Sequence, residues 1–220
     1  ATLVERLVEV IGLALADLAP ATGSVGHGAA AFAVNRREPT LDGVRIGENP
    51  SGPVDRDVPV VKVAGADGRL RAVLFGYACH NTTLGADFLR LGGDYAGYAQ
   101  AALEAAHPGA TALFVMLCGG DQNPRPRGTL DLAKRHGNVL AEEVERVLAG
   151  VLRPITPSIR TAVEVVPLAF APHTRAAFEE EAKSADVYRQ RRARLMLAAW
   201  DEGRPVRDTP YPVQAVRLGR

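Results

Sequence analysis

Seven apolar residues in unbroken succession, Ala112-Leu113-Phe114-Val115-Met116-Leu117-Cys118, set the strongest limit on what this chain can fold into. The run is too short for an ordinary helix and carries no polar position for a solvated face, so it reads as a buried strand. A second run, Leu70 to Cys79, is apolar on both faces and returns from Val58, Val60, Val61 and Val63 across the turn Gly65-Ala66-Asp67-Gly68. That pattern predicts a hairpin whose second strand is central in a sheet. Each apolar strand runs straight into a polar cluster at its carboxyl end. The clusters are His80-Asn81-Thr82-Thr83 and Gly119-Gly120-Asp121-Gln122-Asn123-Pro124. Ligands of open α/β sheets bind beyond the carboxyl ends of strands, so both clusters face one cleft if the two strands are neighbours.

The rest of the chain alternates in period. Leu3, Leu7, Ile11, Ala14, Leu15 and Leu18 mark an amphipathic helix that Pro20 closes. A small-residue strand is expected from Ser24 to Val34, ending in the polar cluster Asn35 to Pro39, and then a long Gly/Pro/Asp-rich loop through Asp57. Helices are expected over Asp94 to His107 and Leu130 to Leu152, and a strand over Ser158 to Phe170. Thr174 is placed to cap a long charged helix to about Glu202, and Tyr211 to Leu218 alternates like a last strand. Strands and helices in this order imply an α/β fold, a mixed sheet flanked by helices in a layered arrangement. With no repeat, no low-complexity tract and no convincing linker, residues 1–220 read as one domain or a portion of one. The chain has no initiator Met and stops just after a strand-like stretch, which is expected of a piece of a longer protein.

Composition narrows the function classes. Hydrophobic residues make up 47% of the chain, enough for a core, so intrinsic disorder is excluded. Lys and Arg number 26 against 25 Asp and Glu, a net charge of +1 that leaves no footprint for nucleic acid. Two cysteines, Cys79 and Cys118, build neither a disulfide scaffold nor a zinc ribbon. No apolar run reaches the roughly 20 residues that cross a bilayer, and no signal-like segment opens the chain.

Within the clusters, His80 carries the most chemistry, because an imidazole at a strand end serves as a metal ligand or as an acid-base group near neutrality. It serves equally in a structural turn. Asn81, Thr82 and Thr83 orient a ring or a substrate, or simply cap backbone. Gly119-Gly120 lets the backbone approach a bound group and offers amides to an oxyanion; a tight turn needs the same pair. Asp121 and Asn123 line the cleft or form the turn. Arg36, after Asn35, is a clamp for an anionic or carbonyl oxygen, or a solvated side chain. Arg125 and Arg127 admit the same two readings. His27, His107, His136 and His173 read as structural or exposed, and Asp94 as a stabiliser of a helix amino end. Neither a phosphate-binding GxxxxGK[ST] nor a GxSxG elbow is present.

Taken in order, Asn35-Arg36, Cys79-His80-Asn81-Thr82-Thr83, Gly93-Asp94-Tyr95-Ala96-Gly97-Tyr98-Ala99 and Cys118-Gly119-Gly120-Asp121-Gln122-Asn123-Pro124 resemble the neutral/alkaline non-lysosomal ceramidase family. The likeness covers about residues 20 to 150, and the 44-residue separation of Arg36 and His80 resembles the family's spacing. It implies a zinc-dependent amidase that releases a fatty acid from an N-acyl sphingoid base, with His80 as a zinc ligand and Arg36 in contact with substrate. Asn35, Asn81, Gly119 and Gly120 become substrate-binding positions, and Asp121 and Asn123 join Arg36 as candidate catalytic residues. The family's Gly-x-x-Ser-Pro turn reads Gly120-Asp121-Gln122-Asn123-Pro124 here, so Asn123 stands where the resemblance places a serine nucleophile. A carboxamide is no nucleophile, which leaves a metal-activated water as the attacking group and Asn123 to position or to stabilise the oxyanion.

One imidazole does not hold catalytic zinc, which takes three protein ligands. The resemblance places a second histidine in a His-rich motif upstream, and a glutamate and a tyrosine downstream, of these residues. It implies a lipid or small-molecule amide as substrate, peripheral membrane contact and export of the parent protein, and no nucleic acid partner. Two rivals stand beside it: a non-catalytic lipid- or glycan-binding module on the same fold, and a metal-dependent hydrolase of another ester or amide.

Overall fold

A computed structural model of the protein describes residues 2–156 and 158–219, which divide into two compact units on either side of position 157. In chain order the first unit holds α1 (Leu3–Ala16), β1 (Ala21–Ala29), β2 (Ala33–Thr40), β3 (Gly43–Asn49), β4 (Asp57–Gly65), β5 (Leu70–Tyr77), α2 (Asp94–Ala106), β6 (Thr111–Met116), β7 (Gln122–Pro124), α3 (Leu130–Leu148) and β8 (Arg153–Pro154). The second holds β9 (Ile159–Ala169), α4 (Arg175–Glu181), α5 (Val187–Asp201) and β10 (Asp208–Leu218).

The first unit is α/β. Its five-stranded sheet runs β6-β5-β4-β1-β8; β5 and β6 are parallel, and the other pairs are antiparallel. Parallel neighbours need a crossover, and α2 provides it. The β4–β5 hairpin forms as expected, with Val61 opposite Leu74 and Val63 opposite Ala72. α2 and α3 pack together and lie on one face of the sheet. The apolar stripe of α3, Ala133, Leu140, Ala141, Val144 and Val147, is buried there at helical spacing, below an N-cap in which Thr129 Oγ1 accepts from Leu132 N. The two helices approach so closely that a Cβ on Gly137 would come within 2.5 Å of Tyr98 Cβ and 2.7 Å of Tyr95 O.

The core gathers around Phe32. Its ring lies 4.8 Å from Tyr77, 5.1 Å from Tyr95 and stacks on His136 at 4.6 Å. Tyr77 Oη donates to Ala30 O at 3.0 Å and accepts from Ala33 N at 3.1 Å. These bonds explain why the expected single strand from Ser24 to Val34 is instead β1 and β2. The chain breaks between them to send Phe32 inward. The expected loop through Asp57 contains β3, which pairs with β2 across Arg45–Glu38 at 2.9 Å, so Arg36 to Glu38 lie within a strand rather than beyond its end.

The reading of residues 112–118 as a buried strand needs correction. β6 ends at Met116 and is an edge strand. Ala112 is buried and Phe114 meets Tyr95 edge-on at 5.8 Å, but Leu113, Val115 and Met116 are 45–51% exposed. Only one face of the strand is covered. Likewise α1 folds from a Thr2–Glu5 capping box yet buries none of its apolar residues.

In the second unit, β9 and β10 form a two-stranded antiparallel ribbon that is not part of the main sheet. The expected long helix after Thr174 is two helices. Asp186 Oδ1 accepts from Tyr188 N and Arg189 N, so a fresh N-cap starts α5.

Candidate functional site

Because β5 and β6 are parallel neighbours, the loops beyond their carboxyl ends meet. His80 N donates to Gln122 O at 3.0 Å, and Leu117 N donates to Tyr77 O at 3.2 Å. The second turn then returns as β7, whose Gln122, Asn123 and Pro124 pair with Asn35, Val34 and Ala33 of β2. This three-residue strand, invisible to any periodicity, joins the Asn35–Arg36 segment to the glycine-rich turn. Three separate stretches of sequence thus meet beyond the ends of β5 and β6.

The turn fits only because position 119 lacks a side chain. A Cβ there would lie 2.6 Å from Cys79 N and 2.7 Å from Ala78 C, whereas one on Gly120 would meet nothing within 4 Å. The close approach puts Gly119 O 2.7 Å and Gln122 O 3.2 Å from His80 Nδ1. Backbone carbonyls only accept, so Nδ1 carries a hydrogen, and in the neutral ring the lone pair is on Nε2. The imidazole is half-buried. From the other side Tyr95 Oη donates to Cys79 O at 2.6 Å and fixes the residue before it. Cys79 itself is buried, and desolvation pushes its thiol up to about 12, so it stays protonated and takes no part as a nucleophile.

Asn123 and Asn35 are buried beside it. Asn123 Oδ1 accepts from Arg36 Nη1 at 3.4 Å and from Thr82 Oγ1 at 3.5 Å. Arg36 Nε donates to Gly120 O at 3.1 Å, and Arg36 N donates to Asp121 O at 2.6 Å. Asn35 Nδ2 donates to Asp121 Oδ2 at 3.1 Å and to Pro53 O at 2.9 Å. Gln122 is buried, and its Oε1 accepts from Asp55 N at 2.9 Å. His80, Arg36, Asp121, Asn123 and Asn35 therefore stand in one hydrogen-bonded cluster. Asn81 is exposed and joins none of those bonds. The glycine amides do not both face the cleft, because Gly119 N donates to Leu117 O at 2.6 Å; Gly120 instead presents its carbonyl to the arginines.

Sequence reasoning did not single out Arg37, whose Nη2 also donates to Gly120 O at 3.1 Å. Nor did it give Asp94 its full part. Asp94 is buried at φ +52°, and its carboxylate accepts from Tyr95 N at 2.7 Å and Leu84 N at 2.9 Å. It thereby ties the segment after His80 to the start of α2. Beside that tie lies a cavity of about 410 Å³ whose lining mixes the apolar Leu84, Phe88, Tyr98 and Leu130 with the charged Arg90 and Asp94.

A free Nε2 is the donor a zinc ion takes from histidine. Among the described residues, however, no three His, Cys, Asp or Glu side chains come together to hold a metal. These residues alone do not fit zinc.

No family model and no curated protein matches the sequence. Solved structures match the fold, among them two of ceramidases. One is neutral ceramidase from Pseudomonas aeruginosa, with a TM-score of 0.69 and 16% identity over 98% of this chain and 41% of that one. The other is a ceramidase complexed with C2, with a TM-score of 0.69 and 15% identity over 94% of this chain and 42% of that one. The chain thus spans about two fifths of the length of the proteins it resembles, and over that span it has the fold of a neutral ceramidase.

Proposed function

We propose that these residues form one wall of the cleft in a ceramidase-like amidohydrolase that acts on the N-acyl amide of a lipid. The observation that carries this reading is the state of His80: two backbone carbonyls hold Nδ1–H and leave the Nε2 lone pair available, beside Arg36 and Asn123.

The side chains divide the work. Hydrolysis of an amide places negative charge on its carbonyl oxygen, and preorganised N–H donors stabilise that charge. Arg36 supplies guanidinium N–H bonds. Asn123 supplies the hydrogens of Nδ2, since its Oδ1 already accepts from Arg36 and Thr82. Water attacks directly, because no serine stands at position 123 and the carboxamide forms no acyl-enzyme. Asp121 holds Asn35, and with it the strand that carries Arg36. The cavity between Leu84 and Leu130 receives the acyl chain. If zinc is bound, His80 would be one of its ligands through Nε2, and the ion would polarise the amide carbonyl. By the same likeness the protein acts outside the cytoplasm, at a membrane surface that supplies the lipid.

The test is release of fatty acid from a panel of N-acyl amines by the native polypeptide that contains these residues. The proposal predicts release that stops on chelation and in His80→Ala. Full activity in His80→Ala would remove this histidine from the chemistry. Asn123, standing where the resemblance places a serine, favours a second reading, a lipid-binding module without catalysis. Saturable binding of the same amines with no product would establish it.

A further inference from the structure

Arg36 and Arg37 are consecutive residues of β2, and in a regular strand their side chains would point to opposite faces. Here both donate to the same oxygen, Gly120 O, through Arg36 Nε and Arg37 Nη2, each at 3.1 Å. The register of β2 against β3 shifts between Asn35 and Arg37, and irregularities of this kind re-aim side chains. Asn35 Oδ1 fixes the irregular turn by accepting from Arg37 N at 2.9 Å.

Two guanidiniums on one neutral acceptor repel each other, and among the described residues neither is paired with a carboxylate. The acidic groups of the same strands and turn are engaged elsewhere: Glu38 with Arg45, Glu48 with Arg125 and Asp121 with Asn35. Most of the five N–H bonds of each arginine remain available, in a planar fork that matches an anion.

We infer that the Arg36–Arg37 pair binds an anionic group, a carboxylate or a phosphate, carried by the N-acyl substrate. The acyl part of this ligand rests on the amidohydrolase reading, whereas the anionic part rests on the two arginines alone. A substrate of this class is an N-acyl amino acid or the phosphate ester of an N-acyl amino alcohol, rather than a neutral ceramide.

Calorimetric titration of the 220-residue chain with N-lauroylglycine, N-lauroyl-phosphoethanolamine and neutral N-lauroylethanolamine tests this. At least one anionic probe binds about tenfold or more tightly than the neutral one, the ratio expected of a charge-assisted bidentate contact, and the preference shrinks at high salt. Preference for glycine marks a carboxylate site, and preference for phosphoethanolamine a phosphate site. In Arg37→Gln the anion preference falls about tenfold while the affinity for the neutral probe stays put; Arg37→Lys restores only part of it. Arg37 is exposed, so both variants fold. Equal affinity for charged and neutral probes, binding of none of them, or an undiminished preference in Arg37→Gln overturns the inference. Binding is read without turnover, so loss of the hydrolase reading would leave the anion preference standing, and the reverse.

Discussion

Gly119→Ala and Gly120→Ala, adjacent substitutions that the sequence gives no reason to separate, are predicted to behave quite differently. A Cβ on residue 119 must move from 2.6 Å to about 3.4 Å from Cys79 N before it reaches ordinary contact, a shift of about 0.8 Å. The clashing atoms are backbone at the end of β5, so no rotamer relieves them. Overpacking of this kind costs about 1–3 kcal/mol. The same shift stretches the bond from His80 Nδ1 to Gly119 O, and its loss adds about 1 kcal/mol. Gly119→Ala should therefore lose about 2–4 kcal/mol, while Gly120→Ala, which meets nothing within 4 Å, stays within about 0.5 kcal/mol of wild type. Urea unfolding followed by the fluorescence of the tyrosines in the first unit reads the difference as a midpoint about 1–2 M lower for the first variant, given an m-value of about 2 kcal/mol/M. Equal midpoints for the two variants would refute the claim that the turn is pressed against the strand end.

Three further outcomes follow from the same packing. Cys118 is exposed and Cys79 is buried with its thiol pushed up to about 12, so a disulfide-exchange reagent at pH 8 should titrate one thiol quickly and the second only in denaturant. Glu143 accepts from Ala29 N at 2.6 Å and from Arg146 Nε at 2.8 Å; chiefly the Arg146 bond holds its carboxyl below the ordinary 4.5. A group lowered on folding stabilises above its unfolded value, so this contribution is present at neutral pH and fades as pH falls below about 4.5. Glu143→Gln should flatten that acid limb of the stability curve. At position 94, where φ is +52°, Asp94→Ala loses the acceptors of two amides and keeps the strain, and should cost about 2–4 kcal/mol in a thermal melt; Asp94→Asn tolerates that backbone but offers one acceptor oxygen to the two amides, and should fall between wild type and Asp94→Ala.

Much of this architecture was legible. The β4–β5 hairpin, α2 and α3 follow from apolar strand runs, a Gly-rich turn and helical character, local signals that the packing supports. The meeting of His80 with Gly119 and Gln122 follows from one rule applied to two apolar strands. What stayed hidden depends on partners far along the chain. Gln122–Pro124 is too short to show a period and is a strand only because Ala33–Asn35 lies beside it. Arg36-Arg37-Glu38 looks like the polar end of a strand until β3 pairs with it. Leu113, Val115 and Met116 carry the composition of a buried strand, but whether a second face is covered is not written in the run itself.

The account turns on which nitrogen of His80 carries its hydrogen, and long-range ¹H–¹⁵N correlation spectra of the ¹⁵N-labelled chain above the pH of imidazole protonation answer this directly. A protonated Nδ1 and a bare Nε2, with the tautomer lost in Gly119→Ala, is the predicted result. A hydrogen on Nε2 in the wild-type protein would contradict it, since the lone pair would then face two carbonyl oxygens and no nitrogen would be left for a ligand.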